Sequence, residues 1–339
     1  VSTQPSGEGT ARVSSDRLRP ATYDDRTEVC DRLAETFPAT PRSEWAKLFE
    51  HRWRREQPDF GVVLERDGRI VGYLGAIHSH RVVNGQRLAV ANMIGWWVDP
   101  KLRGDGLGRR IANAWMERYR DRTATMLTFR HDHMAFWSRY DIRPFDTDRT
   151  AWLLRPWWWL PRSASRVPDE MVSAELVGAE PFRIWADHRG LRCESTVYRI
   201  GGRPVVVISR RRDTVLPRPD WLTALQRRMP LLERALKPRT AVRGLRLYVQ
   251  RVLDLVAGRV PLAEVLYVSD VAAFARGFPA MAVTLAKRHR ALGLLASTAR
   301  VGAPQATGTP VPSHYWYQPP EGSPAATDAL YCEFLLMAM

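Results

Sequence analysis

The chain has 339 residues, 45% of them hydrophobic, which is enough for two packed cores and excludes a disordered protein. No apolar run is long enough to cross a bilayer, the first residues lack the apolar core of a signal peptide, and Cys30, Cys193 and Cys332 have no disulfide or metal spacing, so the chain reads as cytoplasmic. The formal net charge of +15 is almost all arginine and is spread along the sequence, which argues for an anionic ligand or surface rather than nucleic acid.

Residues 1–17 are rich in Ser, Gly and Thr and predict an unstructured tail. Asp24 and Asp25 then stand where a helix cap belongs, ahead of Val29, Leu33 and Phe37. Pro38 and Pro41 end that helix. A second one starts at Ser43 and carries Trp45, Leu48, Phe49 and Trp53. Phe60–Glu65 and Ile70–Ile77 flank Asp67-Gly68, a strong hairpin signal, and a further turn at Asn84-Gly85 leads into the apolar run Ala89–Trp97. Asp99-Pro100 breaks that strand. The glycine-rich turn Arg103-Gly104-Asp105-Gly106-Leu107-Gly108 comes next, and then Ile111, Ala114, Trp115 and Tyr119 at helical spacing.

A strand, a glycine turn and a helix in that order build an anion site. The first amides of a helix have no internal acceptor, and the helix dipole adds positive potential there. Arg103, Arg109 and Arg110 add formal charge at the same end. The glycines are spaced two apart, not Gly-x-Gly-x-x-Gly, and no Gly-Lys-Ser/Thr follows, which excludes the dinucleotide fingerprint and the P-loop. The pattern VDPxxRGxGLGRR, with Arg103, Gly106 and Gly108 in an Arg/Gln-x-x-Gly-x-Gly/Ala frame, resembles the acetyl-CoA signature of the GNAT N-acyltransferase superfamily, and the likeness extends over Ile70–Pro156.

That resemblance implies an α+β fold in α/β/α layers, a mixed and mostly antiparallel sheet flanked by helices. It also implies acetyl-CoA or another acyl-CoA as co-substrate, with no metal. By it, Trp96, Trp97 and Val98 hold the thioester, while Arg103, Gly104, Asp105, Gly106, Leu107, Gly108 and Arg109 hold the pyrophosphate. The two early helices then line the acceptor side, with Trp45, Phe49, Trp53 and Trp137 as pocket residues. Ordinary core aromatics are the other reading of those four side chains.

After the glycine-turn helix the sequence predicts a strand at Thr125–Phe129, a short helix at His131–Trp137, and strands at Arg143–Phe145 and Ala151–Leu154. The short helix resembles the family segment that supplies a tyrosine acid, but Trp137 stands at the tyrosine position. Tyr140, one helical turn on, is the candidate acid. His78 and His80 share one face of their strand, and with His131 and His133 they are candidate bases for an ammonium acceptor. As a metal pair His78-x-His80 lacks a third ligand, and no Gly-x-Ser-x-Gly elbow supports a covalent route.

Residues 157–180, opening on Trp157-Trp158-Trp159, read as a linker whose tryptophans are expected to be buried between two domains, a weak membrane-surface contact being the other reading. The second half then starts again. Strand patterns flank Gly201-Gly202, and helices are expected at Trp221–Leu236 and Leu245–Val256. A strand is expected at Ala263–Val268, a helix at Ala282–Leu292, and closing strands at Leu294–Ser297, Tyr315–Tyr317 and Leu330–Met337. RGFPAMAVTLAKRHRALG parallels RGDGLGRRIANAWMERYR, with Pro279 and Met281 in place of Gly106 and Gly108. The layout is thus two tandem copies: a tail at 1–17, an acyl-CoA-binding domain at 18–156, a linker at 157–180, and a degenerate copy at 181–339 that walls the acceptor pocket. The function this implies is acyl transfer to a primary amine of a small molecule such as an amino sugar or antibiotic. A protein N-acetyltransferase, a non-catalytic acyl-CoA-binding regulator, and an RNA or membrane-surface binder are the alternatives. No pattern specifies an oligomeric state.

Overall fold

The structure is a computed structural model that describes residues 16–51, 53, 59–83, 86–127, 134–145, 148–155, 158, 164–215, 259–302, 308–311, 315–318 and 330. The chain divides into two compact units whose main segments are 1–126 and 127–317.

The first unit opens on β1 (Arg17–Pro20), which pairs antiparallel with β2 (Gly61–Arg66). Between them lie α1 (Arg26–Thr36) and α2 (Arg42–Glu50), which bury Val29, Cys30 and Leu33, and Trp45, Leu48 and Phe49, at helical spacing. Asp25 does occupy the N-cap position of α1. Its carboxylate, however, accepts from the Thr22 amide at 2.8 Å and from Arg19 at 2.7 and 2.8 Å, not from the helix amides. The expected hairpin joins β2 to β3 (Arg69–Val83): Asp67 at φ 51° and Gly68 at φ 74° supply the two positive φ angles that a type I′ turn needs. β4 (Gln86–Val98) runs back along β3, and the pair Val83↔Gln86 brackets the turn at 84–85, which is outside the described residues.

From β4 the chain passes through α3 (Leu107–Arg118) to β5 (Thr123–Met126), which pairs parallel to β4. α3 lies on one face of the sheet with Ile111 and Trp115 fully buried, each contributing roughly 2–3 kcal/mol. Close approach here needs Gly72, since a Cβ on it would sit 2.4 Å from Ile111 Cδ1. The Trp115 indole donates to the Gly75 carbonyl at 3.1 Å. On the other face, Leu33 of α1 reaches β4 at Gly95, 3.5 Å from where a Cβ would stand.

The remaining elements are α4 (Met134–Trp137), β6 (Arg143–Phe145), β7 (Arg149–Leu153), β8 (Ala164–Arg166), α5 (Ala174–Val177), α6 (Ala179–His188), β9 (Glu194–Ile200) and β10 (Arg203–Val215). After them come β11 (Arg259–Val268), α7 (Val271–Arg276), α8 (Phe278–His289), β12 (Gly293–Ser297), α9 (Thr298–Val301), β13 (Thr309–Pro310) and β14 (Tyr315–Gln318). Gly201 and Gly202 form the expected β9–β10 turn, both at positive φ. α8 begins four residues before the expected Ala282, because Pro279 fits the first turn of a helix, where its missing N–H has no internal acceptor in any case.

Among the described residues the strands make two mixed sheets of seven, in the orders β1-β2-β3-β4-β5-β14-β6 and β13-β7-β12-β11-β10-β9-β8. Read from β1 and from β8, the two orders correspond place for place. Each has an antiparallel meander, then a parallel pair (β4/β5 and β11/β12) reached through a helix of 12 residues. This is the expected mixed α+β fold with helices flanking its sheets. Two strands sit elsewhere than expected. Ala151–Leu153, read as the end of the first domain, pairs with β12 in the second sheet, and Tyr315–Tyr317, read as closing the second domain, pairs with β6 in the first. A short apolar run encodes which face it buries, but not which strand it joins. The expected helices at Trp221–Leu236 and Leu245–Val256, and the strand at Leu330–Met337 apart from Leu330 itself, lie outside the described residues.

A candidate acyl-CoA site on the first sheet

β4 changes character at Gly95. Tyr73 pairs with Trp97 and Gly75 with Ile94, so Gly95 and Trp96 together oppose a single residue of β3. Gly95 has φ 65°, the left-handed conformation that glycine adopts without strain, and the result is a β-bulge. The β4/β5 pairing ends at the same level. Its last pair is Met93↔Met126, while β4 continues to Val98. Beyond Met93, therefore, β4 runs on past the end of β5, and its bulged segment Gly95–Val98 has no described partner on that edge.

The chain leaves β4 at Asp99, whose amide donates to Val71 and whose carboxylate caps the turn at Lys101. The glycine loop follows. Gly104 (φ 104°) and Gly106 (φ 73°, the N-cap of α3) hold positive φ, and an added Cβ on either would meet nothing within 4 Å. They are thus glycines for backbone conformation, facing open space. Gly108 is different: its Cβ would lie 3.2 Å from the Trp96 ring, so it sets how closely α3 approaches β4. The first intrahelical bond runs from the Arg110 amide to the Gly106 carbonyl. The amides from Gly104 to Arg109 have no acceptor among the described residues. That row of N–H groups at a helix start is what an anion binds. Arg103 is exposed, with Nε on the Val98 carbonyl at 3.3 Å, and Arg109 is exposed without an ion pair among the described residues. Arg110 reaches the Asp16 carboxylate at 2.5 Å.

Around these amides, Trp97 is buried, and Trp96 and Val98 are half-buried. Trp45, Phe49 and Trp53 are all buried, Trp45 against Phe37 and Phe49 against Phe60, as core aromatics are. Trp137 and Tyr140 belong to the second compact unit, where their rings pack at 5.5 Å; Trp137 is buried and Tyr140 half-buried. His131 and His133 lie outside the described residues.

His78 belongs to a cluster that sequence reasoning did not reveal. Asp59, just before β2, is its centre. The Asp59 carboxylate accepts from the Gly61 amide at 3.0 Å, from Arg118 Nε at 2.8 Å, from the Tyr119 hydroxyl, and from His78 Nε2 at 3.4 Å. Arg122 Nη1 lies 3.4 Å from His78 Nδ1. An arginine can only donate, so Nδ1 accepts and Nε2 carries the hydrogen directed at Asp59. Burial pushes the Asp59 carboxyl up, but the hydrogen bonds from His78, Tyr119, Gly61 and Arg118 outweigh it and hold its pKa at about 2. Burial also drives the His78 imidazole below its ordinary value, against the pull of Asp59, and raises the Tyr119 phenol. The cluster fixes the C-terminal end of α3 to the sheet. His78 pairs with Ala91 and His80 with Ala89, so they sit four and six residues below the bulge, roughly 13 and 20 Å along the strand. Nothing in the sequence singled out Asp59, because an aspartate before a strand is an ordinary loop residue.

Residues 26–140 match the sequence model of the acetyltransferase (GNAT) family. The chain carries a GNAT acetyltransferase domain. The fold agrees: a GCN5-related N-acetyltransferase from Kribbella flavida matches at 13% identity over 92% of this chain and 72% of its own, with a TM-score of 0.50. A GNAT family acetyltransferase from Brucella melitensis, solved with acetyl-CoA, matches at 15% identity over 39% of this chain and 84% of its own, with a TM-score of 0.31. A GNAT family N-acetyltransferase from Escherichia coli, solved with CoA, matches at 24% identity over 40% and 72%, also at 0.31. No curated protein sequence matches the chain. Among the described residues, no group of side chains has the arrangement of a metal site, and no helix is long and apolar enough to cross a membrane. In the GNAT domain the glycine loop and the bulged β4 are adjacent, joined by the packing of Gly108 on Trp96.

Proposed function

We propose that the protein is an acyl-CoA-dependent N-acyltransferase that moves an acyl group, acetyl in the simplest case, to a primary amine of a small molecule such as an amino sugar or antibiotic. One observation carries the reading: the open amides from Gly104 to Arg109 stand beside a β4 that bulges and runs on past β5. The amides suit the pyrophosphate of CoA, with Arg103 and Arg109 adding charge. The bulged segment Trp96, Trp97 and Val98 suits the pantetheine arm and the thioester. The amine attacks the thioester carbonyl, the C–N bond forms, and the tetrahedral oxyanion collapses as the C–S bond breaks and CoA thiolate leaves. A backbone N–H of β4 aimed at that oxyanion contributes about 10² to 10³ in rate. The ammonium loses one proton before it attacks and its nitrogen loses a second from the tetrahedral adduct; one of the two protonates the thiolate and the other is released. Tyr140 and His131 are the candidates for those transfers; we assign His78 to the Asp59 cluster and set aside His80, which lies further still from the bulge.

We further propose that the first sheet and its helices, the expected 18–156 without β7 and with β14 added, form the acyl-CoA-binding domain, and that the second sheet and its helices derive from a second copy that has lost cofactor binding. The place-for-place correspondence of the two sheet orders supports this. The pocket aromatics Trp45, Phe49 and Trp53 then serve the acceptor side of the first unit. The commitment of His78 to structure favours a second reading, an acyl-CoA-binding regulator without turnover. A coupled thiol-release assay with acetyl-CoA and a panel of amino sugars, aminoglycosides and peptides separates the two. Turnover on a small amine is expected. Turnover on peptides alone would overturn the small-molecule acceptor, and tight CoA binding with no release on any amine would establish the regulator.

A further inference from the structure

Asp16 lies at the head of β1, and the β1/β2 register carries it there. Arg17 pairs with Glu65, so one step further Asp16 faces Arg66 across the two strands. Arg66 donates to it through Nε at 2.6 Å and Nη2 at 3.1 Å, a two-pronged contact. A cross-strand ion pair at a sheet edge is ordinary, and it would end there but for Arg110. That residue projects from the first turn of α3, its side chain 45% exposed, and donates through Nη1 to the same carboxylate at 2.5 Å. Two arginines from different elements thus grip one internal anion, and these three charges alone sum to one positive. Arg110 sits four residues beyond Gly106, about 6 Å along the helix from the open amides. Asp105 and Asp67 are the other acids near Arg66.

We propose that the Arg66–Arg110 pair is the subsite for the ribose-linked third phosphate of CoA, and that Asp16 occupies it as a competing internal anion. The inference rests on the acyl-CoA reading of the glycine loop and specifies which of the three phosphates goes where. The pyrophosphate takes the amides, and the third phosphate takes the arginine pair. A phosphate dianion on Arg110 must displace a carboxylate monoanion, so Asp16 weakens the cofactor and sets its affinity.

The test compares CoA with 3′-dephospho-CoA by titration calorimetry on the full chain. In Asp16→Asn, CoA binding tightens by about three- to tenfold while dephospho-CoA changes by less than about twofold. In Arg110→Gln, a surface change that leaves the fold intact, the preference for CoA over dephospho-CoA falls toward one. An equal shift for both nucleotides, no shift, or an undiminished preference in Arg110→Gln would each overturn the subsite. If neither nucleotide binds the unaltered chain, the cofactor reading itself fails. Binding of both, with no effect of Asp16 or Arg110, removes only the present inference. Should Asp16→Asn fail to fold, Arg110→Gln alone decides.

Discussion

The two helices that follow the central strands start in opposite ways. α3 begins after a loop with two glycines at positive φ, and its first amides have no acceptor among the described residues. α8 begins directly behind α7, with Gly277 at φ −94° as N-cap and Pro279 in the first turn. The Gly277 amide is taken by Ala273, and a Cβ on Gly277 would lie 2.3 Å from Ile200, so the glycine here serves packing. Phe278 and Met281 are buried, and the Phe278 ring packs on Trp152 at 5.2 Å and Trp158 at 5.7 Å. Aligned by their N-caps, Gly277 matches Gly106 and Pro279 matches Gly108, which moves by two residues the correspondence drawn from sequence. The same supersecondary unit can therefore present its helix start to an anion or plug it with aromatic rings. The lesson is that a helix dipole makes a site only where the first turn stays open.

Breaking the plug has the largest expected effect. Phe278→Ala removes a ring held by three aromatic neighbours and should cost about 3–5 kcal/mol in denaturant unfolding. Calorimetry should still give one CoA per chain at unchanged affinity. A second equivalent would mean that α8 too can open to a phosphate, and the contrast between the helices would collapse. Closing the first helix comes next. Gly106→Asp puts a negative side chain at the N-cap, and should weaken CoA about a hundredfold or more with a near-native circular dichroism spectrum. Unchanged affinity in that variant would count against the phosphate loop.

The smallest effect lies at the other end of α3. The buried His78 imidazole has a folded pKa below its unfolded value near 6.5, so the unfolded chain binds more protons. The stability it contributes is whole above about pH 6.5 and is lost as pH falls toward and through the lowered value. The melting temperature should drop by a few degrees between pH 7.5 and 5.5, and His78→Gln should flatten that slope. Asp59, held at about 2, stays charged throughout this window and contributes nothing to it. An identical slope in both proteins would show that the cluster does not hold α3 as described.

Much of the first site was legible in the residue order, because its signals are local. Asp67-Gly68 needs two positive φ angles wherever it sits, and Arg103-Gly104-Asp105-Gly106 ahead of Ile111 and Trp115 specifies a turn and a helix from neighbours alone. Asp59, Asp16 and the bulge at Gly95 were not legible. Each depends on a partner many residues away: Asp59 on Tyr119, Asp16 on Arg110, Gly95 on the pairing of β3 with β4. His78 shows the cost of missing them. By pattern it is a good base, and by contact it is a buried prop.

By itself, the sequence determined the mixed α+β class, the glycine loop and the GNAT resemblance, since hydrophobic period, turn chemistry and a compact motif act over a few residues. Tertiary structure alone decided which strands close each sheet, which of two similar helices stays open at its start, and which charged groups meet there. The physical reason is range: backbone conformation is chosen locally, whereas strand partners, burial and ion pairs are settled only when distant segments compete for the same space.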